Sequence, residues 1–213
     1  MAVLSLADKA GGGHFDEMGD LPLIDHISQY IGIALRNCQL FEKVRLQART
    51  DGLTDFVNHN AFFDELNREI ERARRSGGNL SLILLDVDNF KLFNDVHGHQ
   101  VGDKVLREVA QTIKHSVRAV DLPARYGGDE FAVILSDTDL ARGELVAERI
   151  RRAIASNPMA LDGKAFSITI SAGVTQYVSG QTPSQMVSEV DSALYKAKSN
   201  GRNAVASKEA AES

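Results

Sequence analysis

The stretch RYGGDEFAVIL, Arg125 to Leu135, decides the fold of this chain. Its apolar run FAVIL is typical of a buried strand, and the two glycines before it are typical of a tight hairpin turn. Asp129 and Glu130 lie between the turn and the strand, where charges are costly unless they are paired or bound to a cation. Three interpretations are open at this point: an ordinary acidic turn, a metal site and an acid–base pair.

A second pair of carboxylates, Asp86 and Asp88, ends another apolar run, LSLILLDV (80–87). Residues two apart in a strand leave the same face. If this strand and the hairpin are neighbours in one sheet, Asp86 and Asp129 converge. Oxygen-rich clusters of that kind suit Mg²⁺, which keeps positions open for phosphate oxygens. The spacing therefore indicates metal-assisted phosphate chemistry, with polar caps at a strand end as the plain alternative.

Two other phosphate or metal motifs are excluded. The letters D-x-D-N at 86–89 begin like a calcium-binding EF-hand, but Lys91 stands where the turn glycine is required and no glutamate closes the loop. No glycine cluster is followed by Gly-Lys-Ser/Thr, so a Walker A loop is absent.

The remaining hydrophobic pattern predicts a mixed α/β (α+β) fold. Apolar spacings predict helices around 62–73, after the Gly102–Asp103 break, around 147–154 and around 186–197, and a half-buried strand over 167–174. Strands interleaved with helices, including a hairpin, indicate a mixed sheet with helical cover.

The N-terminal region has a different pattern. Residues 2–9 resemble a short strand and residues 10–20 a Gly-rich loop. A seam of apolar residues then predicts one long helix over 21–50, which is either a core helix or the coil of a dimer. The seam consists of Leu23, Ile27, Ile31, Ala34, Cys38 and Phe41. The last residues, 206–213, are expected to form a disordered tail.

Composition limits the partners and the compartment. The net charge of −5 over 213 residues gives no basic footprint for nucleic-acid binding. The single Cys38 excludes an intramolecular disulfide and fits a reducing compartment. No apolar run approaches the roughly 20 residues of a membrane span, and no signal-peptide pattern is seen. A cytoplasmic location without a membrane segment is therefore expected.

Seven segments in order resemble the GGDEF family of diguanylate cyclases, and together they cover residues 51–205. They are DGLTDFVN (51–58), LLDVDNFKLFND (84–95), GHQVGDKVLREVA (98–110), RAVDLPARYGGDEF (118–131), AERIR (147–151), ITISAGV (168–174) and DSALYKAKSNGRN (191–203). The resemblance implies a mainly antiparallel central sheet flanked by helices, similar to class III nucleotide cyclases and polymerase palm domains. It also implies that two GTP condense to cyclic di-GMP with release of two pyrophosphates.

The resemblance also implies a metal and catalytic site. Asp86, the carbonyl of Val87, Asp129 and Glu130 would hold Mg²⁺, with Mn²⁺ as an alternative. Asp129, or the metal that it holds, would activate the ribose 3′-hydroxyl, and Glu130 would complete a second metal site. Lys91 would stabilise the transition state. Gly127 and Gly128 lack a Cβ, so the turn could lie under the α-phosphate without a clash.

Residues that match the family's substrate-binding positions lie outside the signature. Asn94 and Asp103 match the pair that hydrogen-bonds guanine, and an acid at 103 favours GTP over ATP. Asp103 alone would be interpreted as a helix N-cap. Lys198 and Arg202 match residues that hold the β- and γ-phosphates, whereas without the family a solvated basic helix end is the favoured interpretation.

Arg118 and Asp121 match the family's R-x-x-D inhibitory site, and Arg149 matches a second arginine for the same ligand. The implied role is product inhibition by cyclic di-GMP, and a surface ion pair is the plain alternative. The chain departs from the common L-T-G-L-x-N-R-R pattern, because it has LTDFVNHN, with His59 and Asn60 in place of two arginines.

The first fifty residues resemble the end of a GAF sensor domain, with a remnant at 1–20 and a signalling helix at 21–50. Such a helix would pair two chains so that two half-sites, each with one GTP, face each other. A catalytically silent receptor for GTP or cyclic di-GMP is the alternative function.

Overall fold

The computed structural model describes residues 20–47, 49–161 and 163–208. Its internal contacts divide the chain into two compact units, 1–48 and 49–213. In the first unit, helix α1 runs over Asp20–Gln47, so the long helix predicted over 21–50 is present but ends three residues earlier. The structure describes nothing before residue 20. The strand and loop predicted there, and with them the GAF remnant, therefore lie outside the described residues up to position 19. No helix among the described residues is long and apolar enough to cross a membrane.

The second unit is built on a five-stranded sheet in the order β2-β3-β1-β6-β7. Its strands are β1 (Leu80–Val87), β2 (Leu122–Arg125), β3 (Glu130–Ser136), β6 (Ile170–Gln176) and β7 (Val205–Lys208), with a separate hairpin of β4 (Met159–Leu161) and β5 (Lys164–Phe166). All neighbours in the sheet are antiparallel except β6 and β7, which run parallel. The predicted mixed, mainly antiparallel sheet is confirmed.

Helices cover both faces of this sheet. They are α2 (His59–Ser76), α3 (Phe90–His97), α4 (His99–Ser116), α5 (Leu140–Ser156) and α6 (Pro183–Ser199). Ile83, Leu85 and Val87 of β1 pack in one apolar cluster with α4 and α5, whereas Leu82 and Leu84 pack in the other with α2 and α6. Because alternate side chains leave opposite faces and both faces are covered, the central strands are continuous apolar runs.

Three local features differ from the sequence-based expectations. Helix α4 begins at His99, so Gly102 and Asp103 lie inside it, and Gly98 rather than Asp103 is its N-cap. The helix α3 and the β4–β5 hairpin were not expected. Residues 206–208 belong to β7 and pair with β6, which corrects the expected disordered tail there, and residues 209–213 lie outside the described part.

Candidate active site

The register of the sheet brings the two acidic pairs together. Asp86 of β1 lies directly opposite Glu130 of β3, and the backbone N–H of Val87 donates to the carbonyl of Asp129 at 3.2 Å. Side chains directly opposite each other on antiparallel strands have Cβ atoms about 4.5–5.5 Å apart. The strand and the hairpin are therefore neighbours in one sheet, with Asp86 beside Glu130. The meeting of Asp86 and Asp129 at one cation stays a prediction.

Lys198 supplies the positive charge at this cluster. It lies in the last turn of α6, and its Nζ is 2.8 Å from Oδ2 of Asp86. Burial raises the pKa of Asp86, and the charges of Asp129 and Asp88 raise it further against the opposing effect of Lys198. Burial and the charge of Asp86 likewise raise the pKa of Glu130. The carboxylates are thus crowded together, which favours a cation between them.

A cleft of about 550 Å³ opens beside the acidic cluster. The predicted residues Lys91, Asn94, Asp103, Gly128 and Asp129 all line it. Helix α3 contributes Lys91 and Asn94, α4 contributes Asp103, and the hairpin turn contributes the other two. Its apolar walls are Phe90 and Leu106, and Asp95, His99 and Arg125 complete the lining.

The two glycines of the turn serve different purposes. A Cβ on Gly127 would overlap the Glu130 carboxylate, whereas a Cβ on Gly128 would meet nothing within 4 Å. Gly127 therefore makes room for Glu130, and only Gly128 lines the cleft. The expected role of the glycines in clearing space for a phosphate stays a prediction, and of the two only Gly128 lies in the cleft.

The R-x-x-D segment forms a closed turn away from the cleft. The backbone N–H of Arg118 donates to Oδ2 of Asp121 at 2.8 Å, and the N–H of Asp121 donates to the carbonyl of Arg118 at 3.0 Å. Asp121 is buried, and its Oδ1 has no hydrogen-bond partner among the described residues. Arg149 donates from Nε and an Nη to the carbonyl of Ser116 at 2.9 and 2.6 Å. The predicted second arginine is thus held at the end of α4, just before the turn.

Comparison with known proteins decides the family. The family model described as diguanylate cyclase, GGDEF domain, matches residues 48–204. The chain belongs to this GGDEF family. It is 42% identical over 162 residues to the diguanylate cyclase DgcP of Pseudomonas aeruginosa, covering 76% of this chain and 24% of that protein. It is 43% identical over 166 residues to the response regulator PleD of Caulobacter vibrioides, covering 76% of this chain and 37% of that protein.

A solved structure agrees with the fold of this GGDEF domain. The coiled coil and GGDEF domain of DgcB from Caulobacter crescentus, in complex with c-di-GMP, superposes with a TM-score of 0.73 at 34% identity. The match covers 87% of this chain and 99% of that chain. In contrast, the chain spans well under half the length of DgcP and of PleD.

The donor set of this GGDEF domain fits a hard divalent cation. Among the described residues no three His, Cys, Asp or Glu side chains form a group that could hold a metal by themselves. The available donors are Asp86, Glu130, Asp129 and the carbonyl of Val87. Mg²⁺ binds through one or two carboxylates and takes its other ligands from water and substrate phosphates. A site that is incomplete without substrate is consistent with that preference.

Sequence reasoning missed a pair of residues that hold the signature turn. Arg125 donates from one Nη to both carboxylate oxygens of Asp51 at 3.1 Å, and from the other to the carbonyl of Gly128 at 2.8 Å. Burial would raise the pKa of Asp51, but hydrogen bonds from Thr54 and the Arg125 charge hold it below its ordinary value. Asp51 and Arg125 both lie in segments that resemble the family, 51–58 and 118–131. A search of those segments for a carboxylate to pair with Arg125 could have found Asp51.

Asp88, the other member of the strand-end pair, is a structural acceptor. It accepts hydrogen bonds from Thr169 Oγ1 and Ser171 Oγ, both at 2.7 Å, and from the backbone N–H of Asn203 at 3.0 Å. Asn203 follows Arg202, and both have a left-handed backbone. Asp88 therefore holds the exit of α6, from which Arg202 extends into solvent.

Proposed function

We propose that this chain is a diguanylate cyclase that condenses two GTP molecules into cyclic di-GMP and releases two pyrophosphates. In each of two steps, the 3′-oxygen of one GTP forms a bond to the α-phosphorus of the other. The bond from that phosphorus to pyrophosphate breaks, and the hydroxyl proton leaves. The observation that carries the proposal is one cleft lined by Lys91, Asn94, Asp103, Gly128 and Asp129, with Asp86 and Glu130 paired across the strands beside it.

We assign Asp86, Asp129, Glu130 and the carbonyl of Val87 to hold the cation. Bound Mg²⁺, or Mn²⁺ in its place, would spread the charge of the triphosphate and lower the pKa of the attacking hydroxyl. Asp129 lines the cleft and is assigned to take the hydroxyl proton. Lys91, on the first turn of α3, is assigned to stabilise the charge that develops on the transferred phosphorus.

Selection of GTP is assigned to Asn94 and Asp103. A carboxylate that faces N1–H and N2–H₂ of guanine accepts both, whereas the N1 lone pair of adenine would repel it. Lys198 and Arg202 are assigned to the β- and γ-phosphates. The 2.8 Å ion pair between Lys198 and Asp86 places this ammonium at the acidic cluster, where it would meet an incoming triphosphate.

Catalysis requires two GTP-loaded half-sites, so the proposal includes a homodimer formed through α1. Along the predicted seam of α1, Ile27 and Ile31 are exposed, and an apolar side of a long helix is stabilised by pairing. The DgcB structure is described as a coiled coil with a GGDEF domain. A GAF-like sensor remnant before the helix and a cytoplasmic location complete the proposal.

We also propose that cyclic di-GMP inhibits the enzyme at Arg118, Asp121 and Arg149. The support is the buried, unpartnered Oδ1 of Asp121, since a buried acceptor is costly until a donor reaches it. Guanine N–H groups are donors of that kind, and the guanidinium of Arg118, which is exposed, would meet phosphates or guanine acceptors.

The test is product formation from GTP with matched variants. Purified protein, stripped of bound nucleotide, is incubated with GTP and MgCl₂, and cyclic di-GMP and pyrophosphate are quantified by chromatography. We expect a ratio of one to two, and no product from the double variant D86A/D129A. The same variant should still bind cyclic di-GMP, because Arg118 and Asp121 are unchanged. A wild-type protein that binds cyclic di-GMP and never forms it would establish the silent receptor instead.

A further inference from the structure

Gly102 is a buried glycine in the first turn of α4. Its φ lies outside the left-handed region, so the backbone would accept any residue. Alanine is a better helix former than glycine, and neither helix geometry nor backbone strain therefore explains glycine at this position. The explanation has to come from what surrounds its Cα.

The neighbour that excludes a side chain at this position is Asn94. A Cβ built on Gly102 would overlap Oδ1 of Asn94, lie 2.9 Å from its Cγ and lie 3.1 Å from Cζ of Phe90. Both neighbours line the nucleotide cleft. The Asn94 oxygen is buried there without a hydrogen-bond partner among the described residues. Nitrogen and oxygen of an amide are similar in size, so the exclusion holds for either orientation of the Asn94 side chain.

The backbone links the two residues across the corner between α3 and α4. The N–H of Gly98 donates to the carbonyl of Asn94 at 2.8 Å, and the N–H of Gly102 donates to the carbonyl of Gly98 at 3.2 Å. The corner thus holds the two residues close together, and the Asn94 side chain, which lies closest to the added methyl group, would have to move most.

We propose that Gly102 is a positioning residue that determines nucleotide affinity by leaving the space in which the amide of Asn94 is held. This inference rests on the proposed function, in which Asn94 contacts guanine. Gly102 and Asp103 then act together: Gly102 sets the position of the amide, and Asp103 presents the carboxylate to the same base.

A double-mutant cycle on the full chain tests this coupling. The variants are G102A, N94A and G102A/N94A, and the dissociation constant of a non-reactive GTP analogue is measured by calorimetry. We expect G102A to weaken binding about tenfold, the loss of one hydrogen-bonding contact. In the N94A background the same change should alter binding less than about twofold, because the group that it displaces is gone. In G102A alone, the KM for GTP should rise while kcat changes little.

Gly143 supplies the matched control. It is a buried glycine in α5 whose added Cβ would lie 3.1 Å from Val174 Cγ1 and 3.3 Å from Ser81 Cβ. G143A should lower the melting temperature and leave the affinity for the analogue unchanged. A purely structural role for Gly102 would make G102A behave in the same way.

Each outcome decides the inference. Equal effects of G102A in both backgrounds would overturn it while leaving the proposed function intact. A wild-type protein that does not bind the analogue would overturn both. If G102A alone fails to fold, recovery of folding in G102A/N94A supports the inference, and failure of both variants overturns it.

Discussion

At the scale of single residues, Asp55 has a strained backbone conformation. Its φ is +59°, in the left-handed region that glycine adopts freely, and it stands where the GGDEF pattern commonly has glycine. Its side chain is exposed, and its N–H donates to the carbonyl of Asp51 at 3.0 Å in the turn that Arg125 holds. The turn geometry is therefore kept despite an unfavourable residue.

We expect Asp55→Gly to stabilise the protein. The left-handed conformation costs an L-residue about 1–2 kcal/mol, and the greater freedom of glycine in the unfolded chain offsets about 0.5–1 kcal/mol of that. The net gain should be about 0.5–1 kcal/mol, measured as a higher urea midpoint at unchanged slope. Asp55→Ala removes the carboxylate but keeps the Cβ, and an equal gain from it would show that charge, not backbone strain, is the cause.

Arg118 is the residue through which the proposed product inhibition can be separated from catalysis. Its side chain is exposed, whereas the Asp121 carboxylate that caps its backbone is buried. Arg118→Ala should therefore leave the turn intact and remove only the ligand contact. A hydrogen bond to a charged group contributes about 1.5–3 kcal/mol, so the cyclic di-GMP concentration for half inhibition should rise at least about tenfold. The exposed Arg75 of α2 serves as a control, since Arg75→Ala should leave inhibition unchanged.

At the scale of elements, β6 and α6 are packed so closely that one glycine becomes essential. A Cβ on Gly173 would overlap the carbonyl oxygen of Val190 and lie 2.5 Å from N of Leu194. Backbone atoms of a helix cannot move aside as a side-chain end can. This contact also sets how far α6, and with it Lys198, lies from Asp86.

Gly173→Ala should therefore destabilise the fold by about 3 kcal/mol, at the upper end of overpacking effects, and should lower cyclic di-GMP formation as Lys198 is displaced. Denaturant unfolding and product assays on the same samples measure both. Gly52→Ala is the control, because a Cβ there meets nothing within 4 Å, and its effect should stay within about 0.5 kcal/mol. Equal destabilisation by the two variants would contradict the packing argument.

The start of α6 and its exit were predictable to different degrees. Pro183 and the Thr182–Gln185 capping box begin the helix, and such signals are local and visible in sequence. The ion pair of Lys198 with Asp86 joins residues 112 positions apart (198 − 86), and only the register of β1, β3 and β6 brings them together. Contacts between distant parts of the chain are also why the sequence grouped Asp88 with Asp86 as one acidic pair, whereas in the structure Asp88 accepts a hydrogen bond from Asn203.

Helix α5 carries an acidic residue whose effect depends on pH. Glu148 accepts hydrogen bonds from Arg151 at 2.7 and 2.8 Å and from Arg152 at 2.6 Å. The hydrogen bond from Arg151 is the main cause that lowers the pKa of Glu148 to about 2, against partial burial. Arg151 also donates to Oδ1 of Asn203 at 2.6 Å. The Glu148–Arg151 pair thus links α5 to the exit of α6.

The pKa of Glu148 is lower in the folded state than in the unfolded chain, where it is 4.5. The ionised Glu148 therefore stabilises the fold fully above pH 4.5, and this stabilisation is lost as the pH falls from there towards 2. Glu148→Gln should lower the free energy of unfolding by about 1–2 kcal/mol at pH 7, after allowance for solvent screening. The difference from wild type should shrink steadily between pH 5 and about pH 2.5 in urea titrations. Glu71→Gln, at an exposed pair with Arg74, should cost less than about 0.5 kcal/mol. A Glu148→Gln deficit that is constant with pH would contradict this account.

At the scale of the whole molecule, the sheet was more predictable than the site it carries. Mainly apolar runs at 80–87 and 131–135 predicted central strands because both faces of the sheet are covered. The short β4–β5 hairpin and β7 lack such runs, and they form because neighbouring elements hold them. The cleft was implied by family resemblance, residue by residue, whereas the space between Gly102 and Asn94 depends on the corner of two helices and has no local signal.

The first unit leaves apolar side chains without cover. Along α1, Ile27 and Ile31 are 46% and 39% exposed, on the seam predicted from sequence. Ile33 is 57% exposed as well, but two residues turn a helix by about 200°, which places Ile33 on nearly the opposite side from Ile31. Pairing of two chains along the seam would cover the first two and leave Ile33 in water.

Ile31→Glu should therefore weaken the dimer, because a carboxylate would be buried in the paired seam, whereas Ile33→Glu places the same charge in solvent. Light scattering should show Ile31→Glu as monomer at concentrations where Ile33→Glu remains dimeric. Pairing raises the effective concentration of the two GTP-loaded half-sites, so the rate of cyclic di-GMP formation by Ile31→Glu should rise with the square of protein concentration and approach the wild-type rate when concentrated. If both variants have the same assembly state and the same rate law, α1 does not pair the chains through this seam, and the two half-sites must meet by another surface.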